Sequence, residues 1–183
     1  MTWGARSRRE AATVHPDTRK VAERVDGYWS CTVLQGARTL DQQAENVDAG
    51  VSSTLKSHHL PEYSEDPDNG VDAIDVGPDP LRWPKLQEQL QRIEALAAAL
   101  AKDGLTLDDR QDLRAKIEQA VEGYGRDVGR WYAFAGFFHG VSEEMYRNGE
   151  IRRRLVHGYD WDGDHDLEDQ RLHDLPHHHA ASG

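Results

Sequence analysis

Ten histidines and a single cysteine, Cys31, set the terms for any metal chemistry in this 183-residue chain. One cysteine rules out an intrachain disulfide and a thiolate zinc cluster, so metal ligands would have to be His and carboxylate. Three places carry them. Ser57-His58-His59 lies in a polar stretch, Asp75 in a short apolar one, and His173-Asp174-Leu175-Pro176-His177 near the end. A catalytic zinc takes three protein ligands and keeps a fourth position for water, and two His with one Asp would meet that need without sulfur. Singly each is weak, because a lone His is more often a surface or hydrogen-bonded side chain than a ligand. The Asp174 to His177 spacing has a use of its own. A turn through Pro176 can hold His177 on a metal while Asp174 faces the water, as base toward it and later as acid toward a leaving amine. An ordinary acidic turn is the plain alternative, and the run His177-His178-His179 can equally be a solvated tail.

The elements that must position these residues follow from local pattern. His15-Pro16-Asp17 starts a helix whose buried face is Val21, Ala22 and Val25. Trp29 to Gln35 is aromatic and β-branched and predicts a strand, ended by Gly36. Thr39-Leu40-Asp41-Gln42 opens a second helix running to Val47, and Gly50 to Gly70 is a polar loop. Val71 to Val76 is a short strand that Pro78, Pro80 and Pro84 keep from continuing. Strand parity then places Asp75 with Val71 and Ala73, and Asp72 with Ile74 and Val76, so only one of the two aspartates faces a given site.

Leu86, Leu90, Ile93, Ala97 and Leu100 form one helical stripe, ended by Asp103-Gly104. Thr106-Leu107-Asp108-Asp109 resembles a capping box, and a second stripe follows through Leu113, Ile117, Val121 and Tyr124. Together they predict an antiparallel helical hairpin over residues 85–126, most simply a packing unit. A separate aromatic helix is expected from Trp131 to Met145. Gly158 to His179 is dense in Asp, His and Trp, which suits a site better than a scaffold. Asp160, Asp162, Asp164 and Asp166 alternate as in a calcium loop, but His165 and Arg171 stand where the twelve-residue pattern needs Gly and Glu, so an EF-hand is rejected.

Composition narrows the function. Hydrophobic residues are 37% and charged residues 30% of a chain whose length fits one domain, residues 1–183. A formal net charge of −11 argues against a nucleic-acid partner. Arg6, Arg8 and Arg9 have no apolar run behind them, which reads as a frayed terminus rather than a secretory signal, and no segment is long enough for a membrane anchor.

Five motifs in order then point one way. Val33-Leu34-Gln35-Gly36-Ala37-Arg38-Thr39 with Gln42-Gln43 resembles an opening V-x-x-G-x-R-T…Q. Gly50 to Leu60 resembles G-x-S-x-T-x-x-S-x-H-L, and Asp72-Ala73-Ile74-Asp75-Val76 with Pro78, Pro80 and Trp83 resembles x-A-V-D-V-x-P-x-P…W. Gly158 to Asp164 resembles G-G-D-W-D-G-D, and Asp174-Leu175-Pro176-His177 resembles D-x-P-H-F-E-L. These are motifs of the zinc D-Ala-D-Ala carboxypeptidase and L-alanyl-D-glutamate peptidase family, in the superfamily of the Hedgehog signalling domain, and the chain resembles its single-domain phage endolysins.

The resemblance implies an α+β fold, a small antiparallel sheet with surrounding helices and a surface zinc cleft. It implies a Zn2+ ion on His59, Asp75 and His177, with Asp174 catalytic and His59 rather than His58 the first ligand. Arg38 would stabilise an oxyanion or bind a substrate carboxylate, and Ser57 would hydrogen-bond near the substrate. The implied substrate is the peptidoglycan stem peptide, cut at L-Ala-D-Glu by a monomeric enzyme held in the host cytoplasm until its release to the wall. Cleavage at D-Ala-D-Ala shares the same motifs, and a non-catalytic wall-peptide-binding domain is the reading from another class. Three departures stand out. The loop Pro61 to Asn69 lengthens the interval from His59 to Asp75, the 85–126 hairpin is inserted, and the chain ends His177-His178-His179-Ala180 where the family pattern has His-Phe-Glu-Leu. The last puts the packing of the final strand in question and offers His179 as a rival ligand.

Overall fold

The computed structural model describes residues 3–52, 54–83, 86–161 and 174–181. Ser53, Pro84, Lys85, Asp162, Asp164, His165, Asp166, Arg171 and His173 lie outside the described residues. In chain order the elements are α1 (Ala5–Ala11), α2 (Pro16–Tyr28), β1 (Cys31–Gln35), α3 (Leu40–Asp48) and two 3-10 turns, Pro61–Tyr63 and Pro67–Asn69. β2 (Ala73–Pro78), α4 (Leu86–Leu100), α5 (Leu107–Arg147), β3 (Leu155–His157) and β4 (His177–Ala180) complete them.

The start of the chain corrects an expectation. It is not frayed but helical, because α1 is anchored by side chains rather than by an apolar stripe. Ser7 Oγ accepts the Val33 N–H at 3.2 Å, the Glu10 carboxylate accepts the Gly36 N–H at 3.1 Å, and Trp3 is buried. Gly36 is needed here, since a Cβ on it would lie 2.2 Å from the Glu10 carbonyl oxygen. α2 begins as its sequence implies, with His15 Nδ1 accepting the Asp17 N–H at 3.2 Å and Pro16 where no donor is needed. Thr39 and Gln42 form a reciprocal capping box at the start of α3.

The sheet has the order β1-β2-β4-β3 with every neighbouring pair antiparallel. Asp75 stands opposite His177, Ile74 opposite His178, and Ala73 opposite His179. Side chains alternate across the pleat, so Ile74, Val76 and His178 share one face while Ala73, Asp75, His177 and His179 share the other. On the first face Val21, Ala22 and Val25 of α2 and Phe134, Phe138, Val141 and Met145 of α5 build the hydrophobic core with Val33, Ile74 and Val76. The fold is α+β.

Two compact units divide the chain, Met1–Leu81 with Trp131–Gly183, and Arg82–Arg130. The second holds α4 and the first part of α5, whose N-terminus is capped by Thr106: its hydroxyl accepts the Asp109 N–H at 3.1 Å and the Asp109 carboxylate accepts the Thr106 N–H at 3.1 Å. The aromatic helix expected from Trp131 is not separate but the continuation of α5. Gly123, Gly125 and Gly129 intervene, yet a helical glycine costs only about 1 kcal/mol and leaves the hydrogen-bond ladder intact, and no proline interrupts the run.

The loop before β2 is tied down by charge. Asp72 is buried, accepts the Glu65 N–H at 3.0 Å and pairs with Arg153, which also reaches Glu65 at 3.1 Å. Burial alone would raise the Asp72 carboxyl; the Arg153 hydrogen bond and the Glu65 N–H outweigh it and hold the pKa below the ordinary value. A carboxyl held low in the fold contributes stability above its unfolded pKa and loses it as pH falls through the folded one. Asp72→Asn should therefore cost about 3 kcal/mol at neutral pH by leaving Arg153 partly unpaired. In thermal melts the gap to the unsubstituted protein should close as pH drops below about 3.9.

Candidate metal centre

Three side chains converge on the sheet face opposite the core. His59 Nε2 lies 3.1 Å from Asp75 Oδ1, His177 Nδ1 lies 3.2 Å from the same oxygen, and the two nitrogens are 3.3 Å apart. Each side chain has an independent support. Asp75 and His177 are cross-strand partners of β2 and β4. His59 is delivered by the loop after α3, where its N–H donates to Ser57 Oγ at 3.3 Å and its carbonyl accepts the Arg38 N–H at 2.8 Å.

The protonation of the cluster shows what it fits. His59 Nδ1 is 2.6 Å from the Gly36 carbonyl oxygen, which only accepts, so Nδ1 carries a proton and Nε2 is the nitrogen left to offer a lone pair to a cation or to take a second proton. A carboxylate oxygen and an imidazole nitrogen facing that lone pair need a shared cation or proton between them. Bonds of about 2.0–2.1 Å at tetrahedral angles separate ligand atoms by about 3.3–3.4 Å, close to the triangle found here. The residues present fit a zinc-sized cation, and among the described residues this is the one group of three His, Cys, Asp or Glu side chains with such geometry. Cys31 takes no part: it is buried in the core and burial pushes its thiol up to about 12.

Asp75 divides its two oxygens. Oδ1 faces the two imidazoles, and Oδ2 lies 3.8 Å from Arg38 Nη2. Burial would raise its carboxyl, but the charge on His59 and hydrogen bonds from both histidines hold it well below the usual range. Arg38 is itself clamped, its Nη2 donating to Gln35 Oε1 at 2.8 Å and its Nη1 to Gln43 Oε1. Gln43 is buried and donates onward to the Thr54 carbonyl at 2.6 Å.

Asp174 opens a turn closed by the His177 N–H to its carbonyl at 2.9 Å. Burial first, and then Asp75, push its carboxyl above the ordinary value, while His177, His59 and Arg38 pull the other way. Gly158 permits this arrangement, because its N–H and carbonyl bond His177 and Asp174 at 2.8 and 2.7 Å. A Cβ there would lie 2.3 Å from the Asp174 carbonyl oxygen and 3.0 Å from the His177 Cβ.

The final strand corrects two expectations. His177, His178 and His179 are no solvated tail but β4, and all three are buried. His178 fills the core-facing slot, stacked on Phe138 with centroids 3.9 Å apart and with its Nδ1 2.7 Å from His157 Nδ1. Burial holds it neutral, with a pKa lowered to about 3, so an imidazole serves there as a flat apolar surface. His179 shares the face of His177, but its Nδ1 approaches His177 Nε2 at 3.3 Å and it lies outside the converging trio. Of the remaining candidates, His58 has its ring against His179, Asp72 is engaged with Arg153, and of the acidic run Asp160 is described and buried. The roles of Gly158 and His178 gave no signal of their own, since they come from neighbours distant in sequence.

Two histidines, one carboxylate and an adjacent raised carboxyl on a small antiparallel sheet make a candidate metallopeptidase centre. The chain belongs to the phage L-alanyl-D-glutamate peptidase family, whose model matches residues 1–118. That span includes Arg38, Ser57, His59 and Asp75; Asp174 and His177 follow it, and the fold brings His177 to His59 and Asp75. Among solved structures the chain is similar to the Serratia marcescens L-Ala D-Glu endopeptidase ChiX, with 22% identity, a TM-score of 0.43, and coverage of 97% of this chain and 87% of that one. No curated protein matches.

Gly158→Ala should leave the protein folded but weaken zinc binding by at least ~10-fold, as displacement of ligand-supporting groups does. Competition against a chromogenic chelator measures this, and unchanged affinity would show that the turn tolerates the methyl group.

Proposed function

We propose that this protein is a zinc-dependent endopeptidase that hydrolyses the L-Ala-D-Glu bond of peptidoglycan stem peptides and acts as a phage endolysin. The observation that carries the reading is the convergence of His59 Nε2, Asp75 Oδ1 and His177 Nδ1 within 3.3 Å, beside the raised carboxyl of Asp174. Family membership supports the bond and the phage setting. The net charge of −11 agrees with a peptide rather than a nucleic-acid substrate. Among the described residues no helix is long and apolar enough to cross a membrane, and the proposal is of a monomer that reaches the wall after synthesis in the host cytoplasm.

In this reading His59, Asp75 and His177 hold the ion, which when bound polarises the scissile carbonyl and acidifies water. Asp174 accepts the proton of the attacking water as the C–O bond forms. It returns that proton to the leaving nitrogen as the C–N bond breaks, so one carboxyl serves both halves of the hydrolysis. Arg38, fixed by Gln35 and Gln43, gives the cleft a positive charge for an oxyanion or a substrate carboxylate. Ser57 accepts the His59 N–H through Oγ, leaving its own proton to donate toward the substrate.

The expected result with purified peptidoglycan is chelator-sensitive release of new D-Glu amino termini, identified by mass spectrometry. Released D-Ala would move the activity to the carboxypeptidase reaction, and no new ends from folded, zinc-loaded protein would favour a binding domain. Asp174→Ala should keep zinc while turnover falls about 10²–10⁴-fold, the usual worth of a general base. His177→Ala should lose both, and full activity in Asp174→Ala would remove the assigned base.

A further inference from the structure

The metal ligand His177 has a second nitrogen, and that nitrogen is not free. His177 Nε2 lies 3.3 Å from His179 Nδ1, two residues on along the same face of β4. An ion bound through Nδ1 requires His177 to carry its proton on Nε2, so the Nε2–H must donate and His179 Nδ1 must accept. The reverse tautomer, with the proton on His177 Nδ1, would point that proton at His59 Nε2 and Asp75 Oδ1 and exclude a cation. The ring of His179 is held for this role: His58 stacks on it at 4.1 Å with planes 14° apart, and the Trp161 ring lies 5.1 Å from His177 and 5.9 Å from His179. His179 is buried, so water cannot readily substitute for it.

We infer that His179 is a positioning residue of the metal centre, accepting the His177 Nε2–H and thereby fixing the tautomer and ring orientation that present Nδ1 to the ion. His58 keeps the His179 ring in plane. This rests on the metal-centre reading above. It also accounts for a histidine where the family's ending has Glu, because imidazole nitrogen and carboxylate oxygen both accept the same hydrogen bond.

The test compares His179→Phe, which keeps a flat ring without an acceptor, with His179→Gln and His179→Glu, which restore one. Zinc affinity is read by competition with a chromogenic chelator, and the coordination of a substituted Co2+ ion by its visible absorption. Thermal melting of the metal-free proteins reports folding. The expected result is a Kd about 10–100-fold weaker for His179→Phe, with an altered Co2+ spectrum, and recovery in His179→Gln or His179→Glu. Zinc binding and a Co2+ spectrum in folded His179→Phe equal to those of the unsubstituted protein would overturn the inference and leave the metal centre standing. Equal loss in all three folded variants would overturn it too, by showing that an acceptor is not what matters. Failure of the unsubstituted protein to bind zinc, or binding unaffected by His59→Ala, would instead remove the metal-centre reading and this inference with it.

Discussion

The pairing of β2 with β4 in the register that sets Asp75 opposite His177 is the constraint on which the rest of the site depends. Side chains change face with every residue, so a slip of one position would turn His178 toward Asp75 and send His177 into the core. Several contacts outside the ladder oppose that slip. The Pro176 carbonyl accepts the Val76 N–H at 2.9 Å just beyond the strand, and the Asp72 carbonyl accepts the Ala180 N–H at 3.2 Å at the other end. Gly158 clasps the turn before His177 from the outer side. A four-residue strand has too few hydrogen bonds to fix its own register, and these flanking contacts supply what it lacks.

The core face enforces the same register by shape. Phe138 of α5 lies parallel to His178, and His157 of β3 meets the same ring edge-on at 4.9 Å. Polar side chains in such a slot usually carry a penalty, which the His157–His178 hydrogen bond offsets for one nitrogen of each ring. Both rings are held neutral, chiefly by burial. The strand that sets His177 and His179 on one face thus presents His178 to the core on the other as an aromatic plane.

Much of the site was legible because its residues sit in local patterns. The order of motifs marked His59, Asp75, Asp174 and His177, and strand parity alone placed Asp75 and Asp72 on different faces. The fold class followed from the family resemblance, and most element starts from caps and periodicity, as with Thr39 and Thr106. The misses share a physical cause. α1 is held by Trp3, Ser7 and Glu10 reaching the end of β1, contacts between segments far apart in sequence with no periodic signature of their own. The continuity of α5 depends on the absence of a breaker strong enough to end it, which three glycines imitate without being. The ending His178-His179 departs from the family's Phe-Glu, which put the strand's packing in question, whereas burial beside Phe138 leaves the His178 imidazole neutral.

The two carboxyl groups of the centre are pushed in opposite directions, and that difference assigns their work. Asp75 is held well below the usual range by its two histidines, so it stays an anion through any change a reaction imposes. Arg38 lies 3.8 Å from its second oxygen and offsets part of its charge. Asp174 is raised by burial and by the negative charge of Asp75. A bound dication would oppose that shift, because positive charge favours the ionised carboxylate. Asp174 therefore sits between two fields of opposite sign, and its affinity for a proton is set by the charge on the ligand sphere.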